Sequence, residues 1–238
     1  MPRVLAVIVL YFPARPPADL SGEVDEILVI DNTNNNIGVA AALNPGLKKA
    51  IDEKFDWLLT MDQDSVFEHG ALAELKKVAF TAKDDIAIVS PFHLTAKAKR
   101  KSIAVEEVRF TMTSGNLVRP GLGFFEEKLF IDSVDNEYCL RLRKNGHKII
   151  RVNQAVLHHQ LGTLKKNWMG FSTIVHPAPR RYYITRNMLY VMSKYPEFIL
   201  FGLKELIKSF VLISLVEDDK LNKLKAFFRG FRAFRERF

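Results

Sequence analysis

Disulfides are the first thing this sequence cannot make. Cys139 is its sole cysteine, which excludes an internal bridge and is expected of a chain that stays in a reducing compartment, the cytoplasm. Long unbroken apolar runs are missing too. The nearest, EFILFGLKELIKSFVLISLVE at 197–217, is interrupted in its middle by Lys204, Glu205 and Lys208, so it reads as an amphipathic helix and not as a bilayer span. RVLAVIVLY near the N-terminus is short and has no small-residue cleavage site after it, and is expected to be a strand, neither signal peptide nor anchor. Acid is also in deficit. Against 35 Lys and Arg stand 27 Asp and Glu, a net charge of +8, which suits an anionic partner: nucleic acid, a phosphorylated metabolite or anionic lipid.

What is present is apolar patterning. With 48% apolar residues in 238, the chain can bury a full core, and one α/β domain over 1–195 with a helical extension over 196–238 is expected. RVLAVIVLY (3–11), EILVID (26–31), DWLLTMD (56–62) and IAIVSP (86–91) are nearly continuous apolar runs, as in parallel strands covered on both faces. GVAAALNPGLKKAIDEK (38–54) and EHGALAELKKVAF (68–80) read as the intervening helices, with Pro45 predicted to kink the first or mark a restart. This βαβ punctuation predicts a Rossmann-like open sheet whose ligands sit beyond the carboxyl ends of the strands. The residues there are Tyr11, then Asp31 and Asn32, then Asp62, Gln63 and Asp64.

The C-terminus has a different pattern. In KLNKLKAFFRGFRAFRERF, Leu221, Leu224, Phe228, Phe231, Phe234 and Phe238 recur three to four residues apart with Lys and Arg between them. Such a basic, aromatic, amphipathic helix suits a membrane surface. A terminal helix packed on its own domain, or a homodimer contact, gives the same pattern. Nucleic acid is disfavoured, because a phosphate backbone offers nothing to six apolar side chains.

Asp62-Gln63-Asp64 ends an apolar strand. Two carboxylates one residue apart can aim at one hard cation, Mg²⁺ or Mn²⁺, which also takes phosphate oxygens. They can equally cap the next helix or form an Asx turn. An EF-hand loop is excluded, since Val66 and Phe67 stand where a ligand oxygen and a glycine are required. A haloacid dehalogenase-type phosphatase shares the local pattern WLLTMDQDSV. Its second acidic pair should follow a later strand, whereas Asp84 and Asp85 precede IAIVSP.

VIVLYFP (7–13), ILVIDN (27–32), NIGVAAALNPGLKKA (36–50), DWLLTMDQDSV (56–66), TSGNLVRPG (113–121), EEKLFIDSVDNEYCLRLRKNGHKI (126–149), VLHHQLG (156–162) and RRYYITRNMLY (180–190) occur in an order and spacing that is specific when taken together. Over about residues 3–195 the chain resembles the inverting family 2 glycosyltransferases of GT-A fold, and among them bacterial rhamnosyltransferases. The resemblance implies a GT-A Rossmann-like open mixed sheet flanked by helices. It implies that Tyr11 stacks on the donor base, that Asp31 accepts from it, and that Asn36 and Gly38 form a turn beside the nucleotide. Asp62 and Asp64 become the metal pair that clamps the diphosphate, with His159 as third ligand, chosen over His158 by the family pattern His-x-x-Gly that ends at Gly162. NTNNNIG, after Asp31, is shorter than the family's usual connection.

Asp135 lies six residues before Arg141, where the family carries its catalytic base, with Asp132 as second choice. On the residues alone Asp135 opens a helix to about Asn145, closed by Gly146, where an acid also suits the helix dipole. Tyr138, Cys139 and Leu142 are its expected buried stripe, and Glu137 and Arg141 an i,i+4 pair. HPAPRRYYITRN is expected to be a proline-ordered loop that delivers Arg180, Arg181, Tyr182, Tyr183 and Arg186, with Arg181 at the diphosphate; the same residues also suit the solvated start of a basic helix. TSGNLVRP is expected to floor the sugar pocket. Trp57, Phe92, Trp168 and Phe171 are expected to pack, with Trp168 also able to stack on an acceptor ring.

The implied function is metal-dependent inverting transfer of L-rhamnose from dTDP-L-rhamnose to a glycan or lipid-linked acceptor, in surface polysaccharide synthesis at the inner face of the plasma membrane. UDP-hexose or UDP-galactofuranose are the alternative donors. Outside this class stand the phosphatase and a non-catalytic module that binds a membrane surface or nucleic acid.

Overall fold

A computed structural model of the chain describes residues 1–95, 102–159, 164–166 and 172–237. Gly162, Trp168, Phe171 and Phe238 lie outside the described residues. The fold divides into two compact units. Residues 1–130 with 134–160 form the sheet unit, and residues 131–133 with 161–238 the helical unit.

The sheet unit opens with strands β1 (Val4–Leu10) and β2 (Glu26–Asp31), helix α1 (Val39–Asp52), strands β3 (Trp57–Asp62) and β4 (Val66–Phe67), and helix α2 (Ala71–Phe80). It continues through β5 (Ile86–Leu94), β6 (Val105–Glu107), β7 (Asn116–Val118), α3 (Val134–Lys144) and β8 (Lys148–His158). The sheet is mixed, in the order β2-β1-β3-β7-β5-β8-β4, with β6 also on β8. β1 runs parallel to β2 and β3, as βαβ crossovers require. β7 then inserts antiparallel between β3 and β5, two strands that a purely parallel reading would have made neighbours.

Burial follows strand position. β1, β3 and β5 are enclosed along most of their length, consistent with their continuous apolar runs, and Leu5, Leu58, Leu59 and Val89 are fully buried. The edge strand β2 is not covered on both faces, and Val29 is exposed. α1 stays one helix through Pro45, without the predicted restart. Pro45 is exposed, so the carbonyl it leaves without an amide donor, at half-buried Ala41, lies toward solvent. One residue on, Gly46 brings α1 close to β1: a Cβ there would fall 2.7 Å from the Val7 side chain. Further along, α3 buries Tyr138, Cys139 and Leu142 as expected, and the chain leaves it through Gly146 at φ 87°.

The helical unit holds β9 (Leu164–Lys166), β10 (Ser172–Ile174), α4 (Ala178–Lys194), α5 (Ile199–Leu215) and α6 (Lys220–Arg237). Pro177 precedes α4 as its N-cap, so Arg180, Arg181 and Arg186 stand on a helix, the alternative the residues left open, and not on a loop. α4 packs along α6 and against α5, grouping with the C-terminal helices and not with the sheet. Among the described residues no helix is long and apolar enough to cross a membrane.

Candidate active site

The carboxyl ends of β1, β2 and β3 lie side by side. Leu10 pairs with Asp31 and Val9 with Asp62, so Tyr11, Asp31 and Asp62 emerge at one sheet edge. A two-way contact ties the first of these to the acidic turn: the Tyr11 N–H donates to Gln63 Oε1 at 2.6 Å, and Gln63 Nε2 donates to the Tyr11 carbonyl at 3.0 Å. Arg15 donates to the Asp64 carbonyl at 3.2 Å. The turn that carries the two carboxylates is therefore held by its neighbours, and its carboxylate oxygens are left for other use.

Asp62, Asp64 and His159 come together, each offering a ligand atom within 4.8 Å of the others. His159 Nδ1 is 4.0 Å from Asp62 Oδ2. Although 38% of the Asp62 side chain is accessible, the surrounding protein desolvates its carboxyl and pushes its pKa above the ordinary carboxylate value. The imidazole of His159 opposes that rise and the carboxylate of Asp64 adds to it. Two oxygens and one imidazole nitrogen form a donor set that fits Mg²⁺ or Mn²⁺, and a divalent cation would relieve the repulsion between the acids. His158, the last residue of β8, turns the other way, its Nε2 3.0 Å from Glu68 Oε1, so the choice between the two histidines falls on His159.

Two serines build the floor of this cluster. Ser65 Oγ lies 2.8 Å from His159 Nδ1. Ser114 Oγ donates to Ser65 Oγ at 2.9 Å and accepts the Asp62 backbone N–H at 2.9 Å. The Ser114 carbonyl in turn accepts from His93 Nε2 at 2.6 Å. Burial pushes the His93 imidazole down to about 4, so that ring is neutral and donates only through Nε2. TSGNLVRP thus lies under the cluster of Asp62, Asp64 and His159. Its Gly115 is required: φ is 79°, the N–H reaches the Thr60 carbonyl at 2.6 Å, and a Cβ would meet Leu157 at 2.6 Å. Ser65 and Ser114 were missed from the sequence. Their only signal was position, Ser65 directly after Asp64 and Ser114 inside a small-residue turn.

The donor-side residues are placed less uniformly. Tyr11 is exposed, its ring edge-on to Phe12. Asp31 is exposed, and the hydroxyl and backbone N–H of Thr33 hold its carboxyl below the usual range. Asn36 is exposed, its Oδ1 accepting from Asn32 Nδ2 at 3.2 Å and from the Gly38 N–H at 3.0 Å, so it braces the turn. Gly38 was expected to let a nucleotide approach. The close neighbour is Phe130, whose backbone oxygen would lie 2.6 Å from a Cβ and accepts the Val39 N–H at 2.7 Å.

Asp135 stands in the first turn of α3 and lines a small cleft with Thr60, Thr113 and Asn116, Thr60 being two residues before Asp62 on β3. Its Oδ1 accepts the Asn136 N–H at 2.8 Å. Asp132, at φ 63°, is engaged by the Arg180 guanidinium at 3.0 Å, and buried Asn187 donates to the carbonyls of Ile131 and Asp132 at 2.6 and 3.0 Å. Arg181 corrects an expectation. Its guanidinium is buried in the helical unit, bonded to Glu217 and, at 2.9 Å, to Ser209, and its charge is spent on that acid instead of a diphosphate.

Comparison with known proteins agrees with this geometry. The family model described as Glycosyl transferase family 2 matches residues 18–129. The chain is 25% identical to the dTDP-rhamnosyl transferase RfbF of Shigella flexneri, over 94% of this chain and 91% of that protein. In fold it is similar to GalNAc-T7, solved with UDP, GalNAc and Mn²⁺, at a TM-score of 0.53 and 13% identity, over 99% of this chain and 56% of that one. It is also similar to S. aureus TarS in complex with UDP-GlcNAc, at a TM-score of 0.50 and 12% identity, over 98% of this chain and 73% of that one. With its mixed sheet the chain has the GT-A fold of these glycosyltransferases, and over residues 18–129 it is similar to glycosyl transferase family 2.

Proposed function

We propose that the protein is a cation-dependent inverting transferase that moves L-rhamnose from dTDP-L-rhamnose onto a hydroxyl of a growing glycan or lipid-linked acceptor, in bacterial surface polysaccharide synthesis at the inner face of the plasma membrane. The observation that carries this reading is the convergence of Asp62, Asp64 and His159 at the carboxyl edge of the sheet. Likeness to the Shigella flexneri dTDP-rhamnosyl transferase favours the rhamnose donor.

In this reading the exposed Tyr11 ring stacks on the donor base and Asp31 accepts its N–H, both at the same edge as the acidic pair. Asn36 and Gly38 shape the turn beside them. Asp62, Asp64 and His159 would hold Mg²⁺ or Mn²⁺, which when bound neutralises charge on the departing diphosphate. Asp135 takes the proton of the acceptor hydroxyl as that oxygen bonds to the anomeric carbon. The bond from that carbon to the diphosphate breaks, and the nucleoside diphosphate leaves with the electron pair. Attack opposite the leaving group inverts the anomeric centre.

UDP-sugars are the second reading for the donor, favoured by the UDP bound to GalNAc-T7 and the UDP-GlcNAc bound to TarS. A thermal-shift screen of dTDP-L-rhamnose, UDP-hexoses and UDP-galactofuranose with Mn²⁺ or Mg²⁺ separates them, since stabilisation grows with ligand concentration over Kd. The expected result is a cation-dependent rise in Tm with dTDP-L-rhamnose that Asp62→Ala and Asp64→Ala abolish. No rise with any sugar nucleotide in either cation would sink the proposal.

A further inference from the structure

α5 buries one face and leaves an apolar face in water. Gly202, Leu206, Ser209 and Ile213 are its buried residues, and a Cβ on Gly202 would fall 2.4 Å from Met192 of α4. Leu200, Leu203, Ile207, Val211 and Leu215 recur at three- and four-residue steps on the opposite face, with Leu200 83%, Ile207 63% and Leu215 61% exposed. The surface continues onto α6. Phe210 meets Phe228 with ring centroids 6.2 Å apart, and Leu221, Phe228 and Phe231 are exposed beyond it. Scattered exposed leucines need no explanation, but a continuous stripe across two helices marks a docking surface.

Charge selects the occupant. Lys204 and Lys208, the latter 3.0 Å from Glu205, border the α5 stripe, and α6 carries six lysines and arginines besides the buried Lys223, against one acid, Glu236. A second copy of the chain, docked through the same face, would bring these cations against their own kind. Nucleic acid would leave the leucines and phenylalanines in water. An anionic lipid surface takes both, the apolar side chains below the headgroups and the cations among them. The geometry points to the joint α5–α6 face as a membrane-binding surface that lies flat in the headgroup layer of an anionic bilayer. The apolar stripe of α6 predicted from sequence supplies only part of it, because Leu224 and Phe234 are half-buried. This inference rests on the proposed function only for its biological sense, a membrane-borne acceptor.

The test is co-sedimentation of the full chain with vesicles of equal parts phosphatidylglycerol and phosphatidylcholine, against phosphatidylcholine alone. Binding is expected only to the anionic vesicles, falling about tenfold or more in the pair Leu203→Glu with Ile207→Glu, and similarly in Phe228→Glu. These side chains are exposed, so the variants should keep the wild-type unfolding midpoint and sugar-nucleotide binding. Equal binding by wild type and variants overturns the inference, as does no binding to anionic vesicles. A lipid-free dimer that Ile207→Glu dissociates also overturns it, by giving the surface to a second copy. Sedimentation requires no sugar nucleotide, so failure here and failure of the donor screen are separate results.

Discussion

The sheet unit and the helical unit sort their residues by opposite rules. In the sheet unit the interior is mostly apolar, with Glu137 its buried acid, and Asp31, Asp62 and Asp64 collect where strands stop and their side chains meet solvent. In the helical unit the interior holds ions. Arg181, Glu217 and Lys223 are all nearly inaccessible, with Lys223 Nζ 3.0 Å from Glu217 Oε2, while Leu200, Ile207 and Phe228 face water. An interior of paired charges contributes little net stability compared with well-packed hydrocarbon. A unit that spends its large apolar residues on its outside is built for a surface as much as for its own core.

Single changes can sharpen that contrast. Asp135→Asn should lower kcat by roughly 10²–10⁴-fold, the usual worth of a general base, with donor Kd and Tm unchanged. Steady-state rates beside a melting curve decide it, and a near-normal kcat would remove Asp135 from the chemistry. Glu217→Ala should act in the opposite way. It takes the one acid from the buried Arg181 guanidinium, Lys223 keeping Asp218 at 2.9 Å, and should cost about 3–5 kcal/mol in urea unfolding, while the purified folded fraction keeps its donor affinity. A loss below about 1 kcal/mol would show that these ions reach water, and the contrast between the units would fail.

Each unit also holds a histidine pushed down to about 4, His93 and His176, by burial first and, for His176, also by Arg180, Arg181 and Lys223. The native ring refuses a proton that the unfolded chain binds at its usual 6.5, so stability is complete above about pH 6.5 and falls as the pH drops toward 4. For His93 alone the loss approaches roughly 3 kcal/mol. His93→Gln should flatten the pH dependence of the urea midpoint in that window, and an unchanged slope would show that His93 charges in the native state.

A smaller effect is expected at Ser65. Ser65→Ala leaves the ligand set whole but frees His159, and Mn²⁺ affinity measured by calorimetry should drop about tenfold, with little change in Tm. Smallest of all, Lys48→Ala removes an exposed pair with Asp52 at 2.7 Å and should shift stability by less than about 0.5 kcal/mol. It is the control for every charge change above.

Periodicity and the acidic motif carried the reading of the sheet unit because both are local. Four apolar runs became β1, β2, β3 and β5 within a few residues of their predicted limits, and Asp62 and Asp64 had to emerge where β3 ends. β7 was not legible: three residues of strand, Asn116–Val118, have no period to detect, and their insertion between β3 and β5 is set by long-range pairing. Arg181 was misread for a related reason. An arginine after two prolines looks available, and only the later return of Glu217 and Ser209 takes its charge inward.

By itself, then, the sequence determined the α/β class, the sheet edge at which the carboxylates stand and the resemblance to glycosyl transferase family 2, since each depends on residues close in the chain or on their order. Tertiary structure decided which histidine faces the acids, that Ser65 and Ser114 hold it, that Phe130 packs against Gly38, and which face of α5 and α6 stays apolar in water. These depend on residues tens of positions apart meeting at ångström distances, and a one-dimensional pattern does not record which partners fill the space around a side chain.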